Sequence, residues 1–367
     1  MPVFNSSQGV EFSFHDAKSF YQDILHQSII RMWMDKLKTY VKDVRDQLVP
    51  ACQEHFSSWR SGDVAGHGGS HEDIDFGGSL RVRISQKIAE GGYSCVFLGE
   101  SVEEELSGLP RKYAVKRIAC GGKEQKDEAM KEIDVMMRLN HPNILPIRGH
   151  AVVPAVGPGP ALEHVYMLFD MYDGNVWDVV QSRVQVGRPL RSEEIRSICR
   201  QLCLALKAMH DEHLCHRDVK PHNIMLKDVC SYPYGPWSDV SDAPAVLMDF
   251  GSVKSDVVVI ADRKSALQTQ EDAERYTTAP YRAPELWDVP SACTIDTKVD
   301  VWAVGCVLYY SIVGETPFER SSNEAGGSLM LSILKYVICC CLFATPTVQF
   351  HQCILCAVDP ILGHIRI

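Results

Sequence analysis

The most constraining feature of the sequence is a pair of polar motifs, HRDVKPHN beginning at His216 and DFG beginning at Asp249. Asp218 can accept the proton of an attacking hydroxyl group, and Lys220 can offset charge on a transferring phosphoryl group. Asn223 and Asp249 carry the oxygen ligands that Mg²⁺ prefers. The alternative is that the motifs form two charged turns that never meet in the fold. Such turns would not require these two aspartates, the lysine and the asparagine at the spacing that phosphoryl transfer needs. We therefore interpret the motifs as one phosphoryl-transfer site.

A smaller, strand-rich segment precedes the two motifs. Alternating apolar residues from Leu80 to Ile84 predict a strand, and a turn containing Gly91 and Gly92 separates it from a second strand. The bare backbone of this turn can approach phosphates and donate N–H groups to them. Two adjacent glycines between strands also form ordinary hairpins, so the turn by itself is weak evidence for a nucleotide site.

A third predicted strand, Tyr113 to Ile118, places Lys116 on the face opposite Val115. The next segment, Lys123 to Leu139, has helical spacing and carries Glu132. The Glu132 carboxylate can pair with Lys116 and hold its ammonium group against phosphate oxygens. Two unrelated surface charges are the alternative for this pair, and the downstream motifs favour the functional interpretation.

Together with Ala283–Glu285 and Asp300–Trp302, these motifs make the chain from about Leu80 to Phe318 resemble the protein kinases. Residues 265–270 (SALQTQ) and 278–285 (TAPYRAPE) further resemble the Numb-associated kinase family. The resemblance implies an α+β, bilobal fold with an antiparallel-sheet N-lobe and a helical C-lobe. It also implies a serine/threonine protein kinase, which transfers the γ-phosphoryl group of ATP to protein hydroxyl groups with the help of Mg²⁺.

The resemblance assigns roles to individual residues. Lys116 contacts the α- and β-phosphates, Glu132 orients it, and Asp218 is the catalytic base. The implied catalytic residues are Asp218, Lys220, Lys116, Glu132 and Thr278. The implied nucleotide contacts are Ala89, Gly91, Gly92, Ser94, Val96, Ala114, Lys116, Phe169, Asp170, Met171, Asp173, Asn223, Leu226 and Asp249. The implied metal ligands are Asn223 and Asp249. A threonine at position 278 is typical of family members specific for serine and threonine.

The phosphate-binding turn departs from the family pattern. Ala89 stands where kinases usually have the first glycine, and Ser94 stands at the third. We expect altered flexibility of the turn and retained binding, because Gly91 remains at the closest approach to phosphate. The activation segment, from Asp249 to Glu285, is long, and the resemblance predicts an extra helix over residues 266–274.

The two ends of the chain also depart from the family pattern. Beyond Leu334 the sequence does not resemble the last helices of a kinase C-lobe, which predicts a shortened lobe in which Glu285 loses its arginine partner. The cysteine-rich tail, 336–367, is expected to be a non-homologous end; zinc binding and S-acylation are alternatives. The chain begins Met1-Pro2, whereas animal relatives begin Met-Gly for myristoylation, so their membrane attachment is not carried over.

The predicted parts are a helical extension (1–56), a flexible linker (57–78), a kinase domain (79–335) and the tail (336–367). Within the kinase domain the N-lobe is predicted over 79–169 and the C-lobe over 174–335. The extension carries an apolar stripe from Leu25 to Leu48, which can pack on its own neighbouring domain or contact a partner or a membrane surface. A second DFG triplet at Asp75 is interpreted as a coincidence, because no HRD motif precedes it.

Composition narrows the choice of partners. The 37 basic and 47 acidic side chains give a net charge of -10, which disfavours nucleic-acid binding. We interpret the 14 scattered cysteines as reduced thiols of an intracellular, cytoplasmic protein. The expected partners are ATP and proteins with acceptor serine or threonine; peripheral Golgi or endosomal association and substrates in membrane trafficking are implied by resemblance alone. The alternative function is a weakly active or inactive isoform that acts as a binding or regulatory protein.

Overall fold

The computed structural model describes residues 72–77, 80–90, 94–102, 112–154, 163–185, 187–227, 244–316, 318, 328–330 and 332–333. The predicted helical extension, the glycine turn at Gly91 and Gly92, and the predicted tail lie outside these residues. The chain from residue 334 onward, in which the arginine partner of Glu285 was expected to be missing, lies outside them as well.

Strand-forming residues with alternating burial build a six-stranded antiparallel sheet in the first part of the described chain. Its strands are β1 (Glu72–Asp75), β2 (Arg81–Glu90), β3 (Ser94–Ser101), β4 (Lys112–Cys120), β5 (Ile147–Pro154) and β6 (Glu163–Asp170). The strand order is β1-β2-β3-β4-β6-β5, and helix α1 (Lys123–Arg138) follows β4. The sheet and α1 form the predicted N-lobe.

Strand β1 belongs to this sheet, although the sequence pattern placed it in a flexible linker over residues 57–78. It pairs antiparallel with β2, with Ile74 opposite Val82. Ile74 and Phe76 are buried, with 2% and 9% of their surface exposed, among the apolar residues on one face of the sheet. The linker prediction is therefore wrong for residues 72–76. A strand of four residues is too short for its alternation to stand out from polar neighbours.

The upstream DFG triplet closes the turn that follows β1. The Gly77 N–H donates a hydrogen bond of 2.8 Å to Asp75 Oδ1, and Gly77 adopts a φ of +96°, which a residue without a Cβ accepts readily. The Phe76 side chain lies in the core of the sheet. These local roles agree with the interpretation that this triplet is unrelated to the one at Asp249.

The second part of the described chain is mainly helical. Its helices are α2 (Val176–Gln185), α3 (Ser192–Asp211), α4 (Arg263–Tyr276) and α5 (Lys298–Val313). Its short strands are β7 (Gly174–Asn175), β8 (Leu214–Cys215), β9 (Ile224–Leu226), β10 (Ala245–Leu247), β11 (Lys254–Ser255), β12 (Val258–Ile260) and β13 (Cys293–Ile295). One hydrophobic cluster runs from the sheet and α1 through α3 to α5. A sheet lobe followed by a helical lobe confirms the predicted bilobal α+β fold.

Helix α4 confirms the extra helix predicted for the activation segment. It begins at Arg263, earlier than the predicted residue 266, because Asp262 caps its N-terminus. The Ser265 N–H donates a hydrogen bond of 2.8 Å to Asp262 Oδ1, which satisfies a backbone donor that lacks a partner within the helix.

Within the described parts of the chain, every helix is too short or too polar to cross a lipid bilayer.

Candidate active site

An ion pair joins the sheet to α1. Strand β4 pairs with β3 on one side and β6 on the other, which fixes the backbone around Lys116. Lys116 Nζ lies 2.7 Å from Glu132 Oε1, and these side chains are only 19% and 7% exposed. Val115 is buried on the opposite face of the sheet, as the alternation predicts. The predicted pair is therefore formed, in a setting where water screens it weakly.

A buried carboxylate holds the backbone of the HRD motif. Asp300, in the first turn of α5, accepts hydrogen bonds from the N–H groups of His216 at 2.9 Å and Arg217 at 2.7 Å. His210 Nε2 lies 2.9 Å from the same carboxylate. Burial raises the pKa of Asp300, but these hydrogen bonds and the nearby histidines outweigh it and hold the pKa below its ordinary value. The ionised carboxylate thus stabilises Arg217 at a φ of +69°, a backbone conformation that is otherwise unfavourable.

The next residues form a triangle of hydrogen bonds around Asp218. Lys220 Nζ lies 2.6 Å from Asp218 Oδ2. Thr278 Oγ1 donates to Asp218 Oδ1 at 2.6 Å and accepts from Lys220 Nζ at 2.9 Å. The Thr278 N–H donates a further bond of 2.9 Å to Asp218 Oδ1. Both oxygens of a carboxylate that is 8% exposed are therefore oriented by neighbours.

Asn223 lies against the same carboxylate. Its Nδ2 donates to the Asp218 backbone oxygen at 2.9 Å and to Asp218 Oδ2 at 3.3 Å. Using the amide nitrogen in this way leaves the amide oxygen of Asn223 as the atom to offer to a cation. The Asn223 backbone oxygen accepts from the Met248 N–H at 2.9 Å, which places the DFG motif beside the HRD motif.

Contacts on both sides of Asp249 fix its position. His216 Nε2 lies 3.1 Å from the Met248 backbone oxygen, and the His216 ring meets the buried Phe250 ring edge-on, with 5.5 Å between centroids. Asp249 itself has a φ of +68°. Its Oδ1 lies 3.5 Å from Lys116 Nζ, so the two lobes meet at this point.

The charges of Lys116 and Asp249 stabilise one another. Burial lowers the pKa of Lys116, but the carboxylates of Glu132 and Asp249 outweigh it, and the net pKa is raised. Burial raises the pKa of Asp249, but Lys116, His216 and Lys220 outweigh it, and the net pKa is lowered. Both groups therefore remain ionised at neutral pH, as a site for phosphate and metal requires.

Four of the implied nucleotide contacts, Phe169, Asp170, Met171 and Asp173, lie where β6 leads into the helical lobe. Phe169 is buried, and Met171 is 37% exposed. The Asp170 carboxylate is bound by the Arg148 guanidinium through two contacts of 2.9 and 2.5 Å. This paired contact fixes the end of β6. The Asp173 N–H donates to the Leu226 backbone oxygen at 3.2 Å, which joins the end of this connection to β9.

The remaining implied nucleotide contacts lie on the sheet. Ala114 of β4 pairs with Phe169 of β6, and Val96 of β3 pairs with Lys116. Ala89 pairs with Val96, and Ser94 begins β3. The implied contacts Gly91 and Gly92 lie outside the described residues. Val96 therefore lies directly opposite Lys116 in the sheet. Ala89, Ser94 and Ala114 lie within two residues of this pair along the strands or on the next strand.

The donor set fits Mg²⁺. Asn223 and Asp249 present an amide oxygen and an ionised carboxylate, the hard oxygen ligands that Mg²⁺ requires. The Asp249 side chain is 42% exposed, so a ligand can reach it. Lys116, whose ammonium group lies 3.5 Å from Asp249, could bind the phosphates of a nucleotide beside such an ion.

Two contacts around the site were not predicted from the sequence. The role of Asp300 in holding the HRD backbone was not predicted, and the residue entered the sequence analysis only as part of the family motif Asp300–Trp302. A carboxylate in the first turn of an otherwise apolar helix could have indicated a buried hydrogen-bond acceptor. The Trp177 ring of α2 stacks on His222 at 4.4 Å and on Tyr310 of α5 at 4.7 Å between centroids. His222 directly precedes Asn223, so this stack packs against the loop that carries Asp218, Lys220 and Asn223. Nothing in the local sequence pattern signals a contact between residues so far apart.

Comparison with known proteins agrees with this geometry. The family model of the protein kinase domain matches residues 82–348, which runs past Leu334, where the resemblance was expected to end. Serine/threonine-protein kinase 16 of Homo sapiens is 33% identical over 254 residues, which cover 69% of this chain and 76% of that protein. Serine/threonine-protein kinase ppk13 of Schizosaccharomyces pombe is 27% identical over 312 residues, which cover 76% of this chain and 83% of that protein. Because the family model matches more than half of the chain, this protein belongs to the protein kinase family.

Proposed function

We propose that this protein transfers the γ-phosphoryl group of ATP to serine and threonine hydroxyl groups of proteins. The observation that carries the proposal is the hydrogen-bonded triangle of Asp218, Lys220 and Thr278, which lies beside the two oxygen ligands of Asn223 and Asp249. A surface with only structural charges would not orient both oxygens of one carboxylate beside a second carboxylate, that of Asp249, which is 42% exposed and so accessible to a metal ion.

Each residue has a step that its position supports. Asp218 accepts the proton of the attacking hydroxyl group, since its carboxylate is held by Thr278 and Lys220 in one orientation. Lys220 stabilises the negative charge that develops on the transferring group. Lys116, held by Glu132, binds phosphate oxygens of the nucleotide. Mg²⁺, held by Asn223 and Asp249, supplies charge neutralisation on the phosphates when it is bound.

Specificity for serine and threonine is supported by Thr278, whose hydroxyl group bridges the base and the lysine, and by the names of the relatives. The finer proposal is a place in the Numb-associated kinase family, with substrates in membrane trafficking and secretion. It is supported by the resemblance of residues 265–270 and 278–285.

The test is transfer of labelled phosphate from ATP by the purified full chain, with Mg²⁺ and a general acceptor protein. We expect Asp218→Asn to reduce transfer by at least about a hundredfold, because general base catalysis commonly contributes 10²- to 10⁴-fold. The wild-type chain and the variant are compared at equal protein concentration. In a second arm, removal of Mg²⁺ by EDTA should abolish transfer by the wild-type chain. Equal transfer by the wild-type chain and the variant would contradict the proposal and favour a noncatalytic binding or regulatory protein.

A further inference from the structure

The last residue of α4 reaches across to α1. Tyr276 Oη donates a hydrogen bond of 3.2 Å to Glu128 Oε1. The two residues are far apart in sequence, and the bond joins the activation segment to the helix that carries Glu132. This is a direct side-chain link between the activation segment and the helix that supplies Glu132 to the ion pair with Lys116.

Other contacts hold Tyr276 in place on the activation-segment side. Ser252 Oγ, one residue after the DFG motif, donates to the Tyr276 backbone oxygen at 2.7 Å. The Arg275 guanidinium lies over the Tyr276 ring, 5.0 Å from its centroid. Lys254 of β11 pairs with Asp272 one turn earlier in α4. These contacts fix the position of the Tyr276 phenol on the activation-segment side of its hydrogen bond to α1.

The tyrosine remains a donor at neutral pH. Burial raises the pKa of Tyr276, and the carboxylate of Glu128 raises it further. The phenol therefore stays protonated, and the Glu128 carboxylate receives a charge-assisted hydrogen bond.

Glu128 transmits the link to the site. Residues 128 and 132 are four apart on α1, so their side chains lie on the same stretch of helix surface. When α1 is held, Glu132 keeps Lys116 at 2.7 Å. A displacement of α1 would separate Glu132 from Lys116 and leave Asp249, 3.5 Å away, as the charged partner of the lysine.

We propose that Tyr276 is a positioning residue that ties the activation segment to α1 through Glu128 and so keeps the Lys116–Glu132 pair formed. The proposal rests on the kinase function proposed above. Without this tie, a smaller fraction of molecules has Lys116 and Asp249 available for ATP and metal, and the apparent affinity for ATP falls by that fraction.

The experiment is a double-mutant cycle with a matched control. Tyr276→Phe and Glu128→Ala each remove one partner, and Tyr166→Phe removes a tyrosine–glutamate bond of the same length, 3.2 Å to Glu72, within the sheet. We expect each of the first two variants to raise KM for ATP about three- to tenfold, the range of one hydrogen bond, with kcat changed by less than about twofold. The double variant should match the single variants, and Tyr166→Phe should leave KM unchanged.

The proposal is overturned if Tyr276→Phe leaves KM for ATP unchanged, if Tyr166→Phe raises it equally, or if the two single effects multiply. A second readout separates it from the kinase function itself. If the wild-type chain transfers no more phosphate than Asp218→Asn, hydrogen exchange of the backbone amides of Lys123–Arg138 decides instead. Faster exchange in Tyr276→Phe than in Tyr166→Phe supports the tie, and equal exchange refutes it.

Discussion

Replacing Thr278 with valine tests the hydrogen-bonded triangle at the proposed base. The change keeps the branched shape of the side chain and removes its hydroxyl group. Two bonds are lost, the one to Asp218 Oδ1 at 2.6 Å and the one from Lys220 Nζ at 2.9 Å. Three others to the Asp218 carboxylate remain, from the Thr278 N–H, from Lys220 Nζ and, at 3.3 Å, from Asn223 Nδ2.

The size of the effect follows from this count. A hydrogen bond to a charged group contributes about 1.5–3 kcal/mol, and the retained contacts keep Asp218 partly oriented. We take about 2–3 kcal/mol as the loss of transition-state stabilisation, which corresponds to a decrease in kcat of about 30- to 150-fold. Thr278→Ser restores the hydroxyl group and should stay within about threefold of the wild-type chain.

Steady-state phosphate transfer at saturating ATP measures kcat for the wild-type chain and both variants. A Thr278→Val rate within about threefold of the wild-type rate would refute the idea that the hydroxyl group orients the base. A Thr278→Ser rate as low as that of the valine variant would refute it too, because the serine variant would then have lost activity although it keeps the hydroxyl group.

Three further changes test other parts of the structure. Glu132→Gln leaves Lys116 with Asp249 as its charged partner, so kcat/KM for ATP should fall about 10- to 100-fold; an unchanged value in the same transfer assay would argue against the pair. Phe76→Ala should lower the free energy of unfolding in urea by about 3 kcal/mol, whereas a residue in a flexible linker would show no change. The pKa of Asp300 is lowered from 3.8 in the fold, so its charge stabilises the fold above about pH 4, and this contribution is lost as the pH falls toward the lowered value. Asp300→Asn should therefore have a lower free energy of unfolding than the wild-type chain at pH 7 and lose less of it on acidification. Urea unfolding at several pH values measures this, and a difference between the two proteins that does not change with pH would contradict it.

The chemistry of the site could be predicted from the sequence because its key residues cluster in short segments. Asp249 lies 26 residues after Asn223, just beyond β10, whereas Asp218, Lys220 and Asn223 lie within six residues. In so short a stretch the backbone has few ways to arrange the side chains, so residue type and spacing carry most of the information. Glu132 is a different case, because its spacing predicts only that it lies on a helix; the downstream motifs favoured its pairing with Lys116, and the structure shows the contact at 2.7 Å.

Residue types and spacing were thus enough to predict the proposed catalytic residues and a sheet lobe followed by a helical lobe, and the family resemblance added the activation-segment helix. Three contacts could be seen only in the folded chain: β1 completes the sheet, Asp300 holds the HRD backbone, and Tyr276 donates a hydrogen bond to Glu128. These contacts join residues distant in the chain, and such contacts depend on how whole elements pack. Local periodicity reports which face of a helix or strand is apolar, and it carries no information about which distant side chain will lie against it.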